Sequence, residues 1–218
     1  MGQKVNPIKF RTGIFRGWRS RWYAEKGDYK KFLFDDIKLR EALENKFKLA
    51  GVHSIDIERL PRAMTVRLTV SRPGIVIGRG GSGIEETKNF VLRILGVNPK
   101  GSQTPRIDVV VEEIKNPELS AKLVIGRIVS EFERRMPHRR VVTRTMERIM
   151  ASGAKGVRIA LAGRIDGAEI ARKEKYKMGS VPTQSLRANI DYADAHALLK
   201  RGYVGVKVWI YVPTERAN

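Results

Sequence analysis

Residues 72–84 read Arg-Pro-Gly-Ile-Val-Ile-Gly-Arg-Gly-Gly-Ser-Gly-Ile. Glycine at such density lets a phosphate chain approach the main chain, because no Cβ stands in the way. Gly78, Gly80 and Gly83 formally satisfy the G-x-G-x-x-G pattern of dinucleotide-binding folds. The surroundings refuse that reading. Pro73-Gly74 leaves only Ile75, Val76 and Ile77 as a preceding strand, and no acidic residue stands near position 103, where a ribose partner belongs. A Walker A loop fails as well, since no Gly-Lys-Ser/Thr follows.

The second concentration of chemistry is arginine. Between Gly126 and Ala151 stand seven: Arg127, Arg134, Arg135, Arg139, Arg140, Arg144 and Arg148. Arg140, Arg144 and Arg148 recur every fourth residue and so form a stripe along one side of a helix. Charge runs on helices usually mark a solvated face. Here only Glu147 offers neutralisation within that helix, and arginine is used throughout instead of lysine. A planar guanidinium forks onto phosphate and stacks on bases, so the stripe points to RNA.

Little else supports catalysis. With no cysteine there is no disulfide, thiolate nucleophile or zinc–thiolate site. His53, His138 and His196 lack ligand-like spacing, so no metal and no cofactor is expected. Asp166, Glu169 and Asp191 could be imagined as acid–base or metal groups, but each has basic neighbours and reads better as a salt-bridge partner or part of an RNA-facing structure. No catalytic residue is assigned.

These groups need elements to position them. Residues 1–31 carry nine Lys/Arg against two acids, with Phe10, Phe15, Trp18, Trp22 and Tyr23 interleaved and glycines between. That composition suggests an arm ordered by its partner. A helix is expected from Asp36, with Ile37, Leu39, Leu43 and Phe47 at helical spacing and Gly51 as its stop. Alternation at Ile55/Ile57 and at Val66/Leu68/Val70 predicts two half-buried strands. A helix over 84–95 closed by Gly96, a loop over 100–105 and a strand through Ile107, Val109 and Val111 complete an α+β unit. Pro117 opens the next. Ala121, Ile125, Ile128 and Phe132 share one helical face, Pro137 ends that helix, and Val142, Met146, Ile149 and Met150 line a second. Strands follow at Val157–Leu161 spacing, within 168–196, and from Val204 to Val212. Two helices on an antiparallel or mixed sheet is the economical packing. The boundaries expected are a basic arm over 1–35, a first domain over 36–114, a second over 115–212 and a tail over 213–218.

Charge bounds the partners. The 218 residues carry 43 Lys/Arg against 23 Asp/Glu, a formal charge of +20. Self-repulsion of that size asks for a polyanion to cancel it. A membrane is the weaker candidate: no run approaches the roughly 18 apolar residues of a spanning helix. The opening Met-Gly-Gln-Lys-Val-Asn has no apolar leader core, and Asn6 stands where N-myristoylation wants Ser or Thr. A cytoplasmic chain without membrane partners is expected.

Val76-Ile77-Gly78-Arg79-Gly80-Gly81 with Ile84 resembles the Val-Ile-Gly-x-x-Gly-x-x-Ile signature of KH domains. There the glycine loop joins two short helices and clamps single-stranded nucleic acid. Gly78, Arg79, Gly80 and Gly81 are thus the candidate RNA-binding loop. More broadly, Met-Gly-Gln-Lys-Val-Asn-Pro, the glycine loop, Glu133-Arg134-Arg135 with Arg139-Arg140, and Gly153-Ala-Lys-Gly156 resemble the bacterial small-subunit ribosomal protein S-three family. So do Gly163-Arg164 through Arg172, Arg187-Ala-Asn-Ile-Asp-Tyr192 and Gly205-Val-Lys-Val-Trp-Ile210. The resemblance covers essentially 1–212 and implies a type II KH domain followed by a C-terminal α/β domain. It implies a non-enzymatic, ribosome-bound part of the small-subunit head, with small-subunit rRNA, mRNA and neighbouring ribosomal proteins of the head as partners. It further implies a patch that grips and helps unwind mRNA where it enters, for which Arg134, Arg135, Arg139, Arg140 and Arg144 are the candidates. Thr143 departs from the Lys common there. For rRNA the candidates are Lys4, Lys9, Arg11, Arg16, Arg19, Arg164, Arg172, Lys175 and Lys177.

Overall fold

A computed structural model describes residues 4–14, 16–96, 106–200 and 202–213. The chain divides into two units, one formed by residues 18–115 and the other by the remainder, in which the first residues up to Gly17 join those from Asn116 onward. In chain order the elements are α1 (Pro7–Phe10), β1 (Ser20–Arg21), α2 (Lys26–Lys46), β2 (Val52–Leu60), β3 (Ala63–Val70), α3 (Pro73–Ile77) and α4 (Ser82–Leu95). Then come β4 (Arg106–Glu113), α5 (Ala121–Glu133), α6 (His138–Ala151), β5 (Gly156–Gly163), β6 (Arg172–Gly179), β7 (Ile190–Leu199) and β8 (Gly202–Tyr211).

In the first unit, β1-β2-β3-β4 form one sheet, antiparallel between β2 and β3 and parallel at its other two pairings. Period-two alternation sends Met64, Val66, Leu68 and Val70 to one face. There they meet Leu39 and Leu43 of α2, Val76 of α3 and Val91 of α4. The order α2-β2-β3-α3-α4-β4, with β3 beside a parallel β4, is the type II KH arrangement.

The first long helix starts ten residues earlier than its sequence suggests, at Lys26 and not at Asp36. Asp36 has the look of a helix cap but lies mid-helix and is 1% exposed. Its carboxylate accepts Ser20 Oγ at 2.7 Å, Trp22 Nε1 at 2.9 Å and Arg59 Nε at 2.9 Å. Trp22 also packs edge-on against Phe32, over whose face the Arg59 guanidinium sits. Ser20 and Trp22 therefore serve to tie β1 and the residue after it to α2. Ile37, expected on the core face, points outward and is 49% exposed, with Leu33 and Phe34 beside it. The expected loop over 100–105 and the arm's Phe15 lie outside the described residues.

In the second unit the sheet order is β6-β5-β8-β7, antiparallel throughout. α5 and α6 bring Ile125, Ile128, Val142 and Ile149 into one core with the strand residues Val157, Ile159, Val206 and Val208. The start of α5 is doubly satisfied: Ser120 Oγ accepts Leu123 N–H, and Asp191 accepts Ala121 N–H at 2.7 Å. Arg16 reaches the same carboxylate at 2.6 Å. A helix N-terminus and a guanidinium thus balance a nearly buried charge, which settles Asp191 as structural.

Candidate nucleic-acid interface

The glycine loop stands between α3 and α4 as a single 3₁₀ turn, Arg79–Gly81, whose residues Arg79 and Gly80 are exposed. Gly80 and Gly81 take φ of 62° and 83°, the left-handed region that glycine enters without strain. A Cβ on either would meet open space, so the loop presents bare main chain to solvent. Gly83 does a different job. A Cβ there would lie 2.4 Å from the carbonyl oxygen of Val76, so only glycine lets α4 cross α3 this closely. The loop's shape rests on a residue outside the four assigned to binding.

The arginines fall into a turn and a helix. Arg134 closes α5, and Arg135 follows it at φ 61°, a left-handed conformation uncommon for a side chain of its size. Pro137 then starts α6 with no capping side chain, and the first turn of α6 holds no acidic residue. Helix starts normally attract carboxylates because their free N–H groups carry positive charge. Here the first turn carries Arg139 and Arg140 instead, with Arg144 one turn on. Arg134, Arg135, Arg139, Arg140, Thr143 and Arg144 are all exposed. The opposite side of α6 is buried: Val141, Val142, Thr145, Met146 and Ile149 face the core. Arg127 does not belong with the group, because both its terminal nitrogens bond Glu118. That pairing holds the Glu118 carboxyl below its ordinary range.

Beside the start of α6, His138 is 6% exposed. Its Nδ1 pairs with Asp166 Oδ2 at 2.7 Å. Its Nε2 lies 3.0 Å from Glu174 Oε2, out of line for a hydrogen bond. The Glu174 carboxyl is held low chiefly by the Tyr176 hydroxyl, with His138 and Arg172 adding to it. Asp166 is thereby the hydrogen-bond partner of a buried histidine. Among the described residues no cluster of three or more His, Asp or Glu could hold a metal ion.

A third basic surface comes from the sheet. In β6, Tyr176 and Met178 pack against the helix-covered core. Lys173, Lys175 and Lys177 therefore stand on the opposite face. Register extends the stripe across three strands: Lys177 pairs with Arg158 and Arg158 with Trp209, while Lys175 pairs with Ala160 and Ala160 with Lys207. The Arg158 guanidinium lies 5.0 Å from the Trp209 ring. Lys175 and Lys177 were legible in sequence. Arg158, Lys173 and Lys207 were not, because only the register reveals that they share a face with them.

The remaining rRNA candidates separate. Lys4, Lys9, Arg19 and Arg172 are exposed, although Arg172 also pairs with Glu174 at 2.7 Å. Arg164 is half-buried, its Nε donating to Ala168 O at 2.8 Å. Arg16 is tied to Asp191. Arg11 must be removed from the RNA-facing set. It is 1% exposed, and its guanidinium donates to the carbonyls of Pro7, Thr183, Ser185 and Ala188 at 2.6 to 3.1 Å. Four of the five guanidinium donors are taken by this internal clamp, and burial keeps the fifth from phosphate.

A type II KH fold with an exposed glycine loop, and a helix-backed antiparallel sheet with exposed basic surfaces, define a two-domain RNA-binding protein. Comparison with known families agrees: residues 38–119 match the KH domain, and residues 128–210 match the C-terminal domain of ribosomal protein S3. Small ribosomal subunit protein uS3 of Persephonella marina is 45% identical over 97% of this chain and 90% of its own length. That of Halalkalibacterium halodurans is 41% identical over 100% and 97%, and that of Rhodopirellula baltica 43% over 96% and 88%. The chain belongs to the uS3 family of small ribosomal subunit proteins. Its role is that of a structural ribosomal component, not an enzyme. No helix among the described residues is long and apolar enough to cross a membrane.

Proposed function

We propose that this protein binds small-subunit rRNA and presents its α6 arginines to mRNA entering the ribosome, holding the strand and helping to open its structure. The observation that carries the reading is the start of α6. Five exposed arginines gather there around an uncapped helix N-terminus whose first turn holds no acid. Cations at that end oppose the helix dipole, a cost that a bound phosphate chain reverses. Such a surface serves a passing strand, since it grips backbone without demanding sequence. The bare glycine loop and the Lys173/Lys175/Lys177–Arg158–Lys207 face suit rRNA, with neighbouring proteins of the subunit head as further partners.

The test separates assembly from use. Arg139, Arg140 and Arg144 lie away from the core, so the triple alanine variant keeps its fold and enters small subunits. Each lost contact costs on the order of 1 kcal/mol, too little to eject a protein held by other surfaces. Ribosomes carrying it slow on messages with a stable downstream hairpin and translate unstructured messages nearly normally. Equal rates on both, for variant and parent alike, overturn the proposal.

A further inference from the structure

We infer that the second unit carries a pocket for a single unpaired guanine base, next to the arginine patch and sharing only Arg135 with it. The inference rests on the patch reading for the strand that delivers the base. A cavity of about 380 Å³ opens where the α5–α6 turn meets the β7–β8 turn. That is within the ordinary range of small-ligand sites, about 300–1,000 Å³. Phe132, Met136, Ile165, Leu199 and Val204 give it an apolar floor suited to a flat aromatic ring. Arg135 and Lys200 also line it and supply positive charge for the phosphates flanking a base. Arg135 is held there in the left-handed region, at φ 61°. Strain of that kind at an exposed cationic residue persists only where the surroundings impose it.

One wall is anionic, and it selects the base. Asp166 also lines the cavity, with its side chain 57% exposed, while Oδ2 accepts from the buried His138 at 2.7 Å. The histidine fixes the carboxylate's orientation and leaves it further acceptor positions. Guanine presents two adjacent donors on one edge, N1–H and the N2 amino group, which a single carboxylate accepts together. Uracil has no such pair and places a carbonyl oxygen against the carboxylate. Adenine and cytosine offer an amino group but pair it with a lone-pair nitrogen, which the carboxylate repels. A strand lying over Arg134, Arg135 and Arg139 would need to turn one base inward to fill the site.

The test uses the full chain and short single-stranded RNAs, uridine pentamers with or without one central guanosine, measured by fluorescence anisotropy. The guanosine pentamer binds about tenfold more tightly than all-uridine or than pentamers with a central adenosine or cytidine. Asp166→Asn, which keeps an acceptor for His138 but presents an amino group to the base, removes that preference, so that the guanosine and uridine pentamers bind alike. Absence of preference in the parent protein, or its survival in Asp166→Asn, overturns the pocket. As a second measurement independent of variant folding, a 6-thioguanosine pentamer is photo-crosslinked and mapped by mass spectrometry. Crosslinks at Met136, His138 or Leu199 support the site, and crosslinks confined to the α6 arginines overturn it. Guanosine monophosphate is the control for source: if it binds as tightly as the pentamer, the assignment to an RNA strand fails. The triple alanine variant of Arg139, Arg140 and Arg144 distinguishes the two readings. It weakens all pentamers alike if the patch holds RNA, whatever the pocket does, and weakens none if the patch reading itself is wrong.

Discussion

Gly83 shows how one residue's absent side chain shapes a surface it does not belong to. The motif marks Gly78, Gly80 and Gly81, yet the closest approach in the loop region is the main chain of Gly83 against Val76. Gly83→Ala forces α4 away from α3 and is expected to cost about 1–3 kcal/mol, the range for overpacking. Gly80→Ala meets no neighbour and costs only about 1 kcal/mol, for its left-handed backbone. Urea unfolding of the two variants tests the ranking. If Gly80→Ala proves the more destabilising, the close crossing is not what holds the loop. Arg11 teaches the opposite lesson. Its neighbours in sequence are basic and glycine-rich, so composition marks it for a polyanion. Three of its four partners lie more than 170 residues away, where no local pattern could announce them.

Elements were read from sequence according to how strictly their period was enforced by burial. β2, β3, α4, α5 and α6 each bury one face, and their apolar spacing shows it. Gly96 ends α4 in a left-handed conformation, as glycine at that position should. The first ten residues of α2 were missed because its outer side carries Tyr29, Leu33 and Phe34, half-exposed, among lysines. An apolar stripe on the outside blurs the helical period. Asp36 compounded the error by imitating a cap. The short helix α1 depends on a clamp and not on its own four residues. Arg11→Ala should leave four carbonyls short of a donor, costing on the order of 3 kcal/mol. Arg11→Lys should not restore it, because one ammonium cannot span the same oxygens. Hydrogen exchange over 183–188 is the measurement. Unchanged protection in both variants would show that α1 is held by something else.

At the scale of the whole chain, charge was the most legible property and its distribution the least. A formal charge of +20 implies a polyanion. Which cations face outward emerged only from strand register and from the ion pairs that retire Arg127 and Arg16. If the exposed cations act through phosphates, affinity of the purified protein for RNA should fall roughly 10³-fold or more between 50 and 200 mM salt. A nearly flat dependence would mean that contacts other than phosphate dominate. The slope should shrink in the Arg139/Arg140/Arg144 variant, and also on removal of Lys173, Lys175 and Lys177, since the two surfaces engage phosphate independently.

The Arg11 clamp also imposes an order on the protein's making. The distant carbonyls that hold Arg11 belong to Thr183, Ser185 and Ala188, and Ala188 lies 177 positions beyond Arg11. During synthesis at about 5–20 residues per second, α1 waits roughly ten to thirty-five seconds for its acceptors. Meanwhile residues 18–115, whose core is entirely their own, have time to fold. The Arg11 guanidinium thus leaves the translating ribosome long before it can be fastened. Until then the nascent chain carries an unclasped basic segment, open to whatever RNA or chaperone reaches it first.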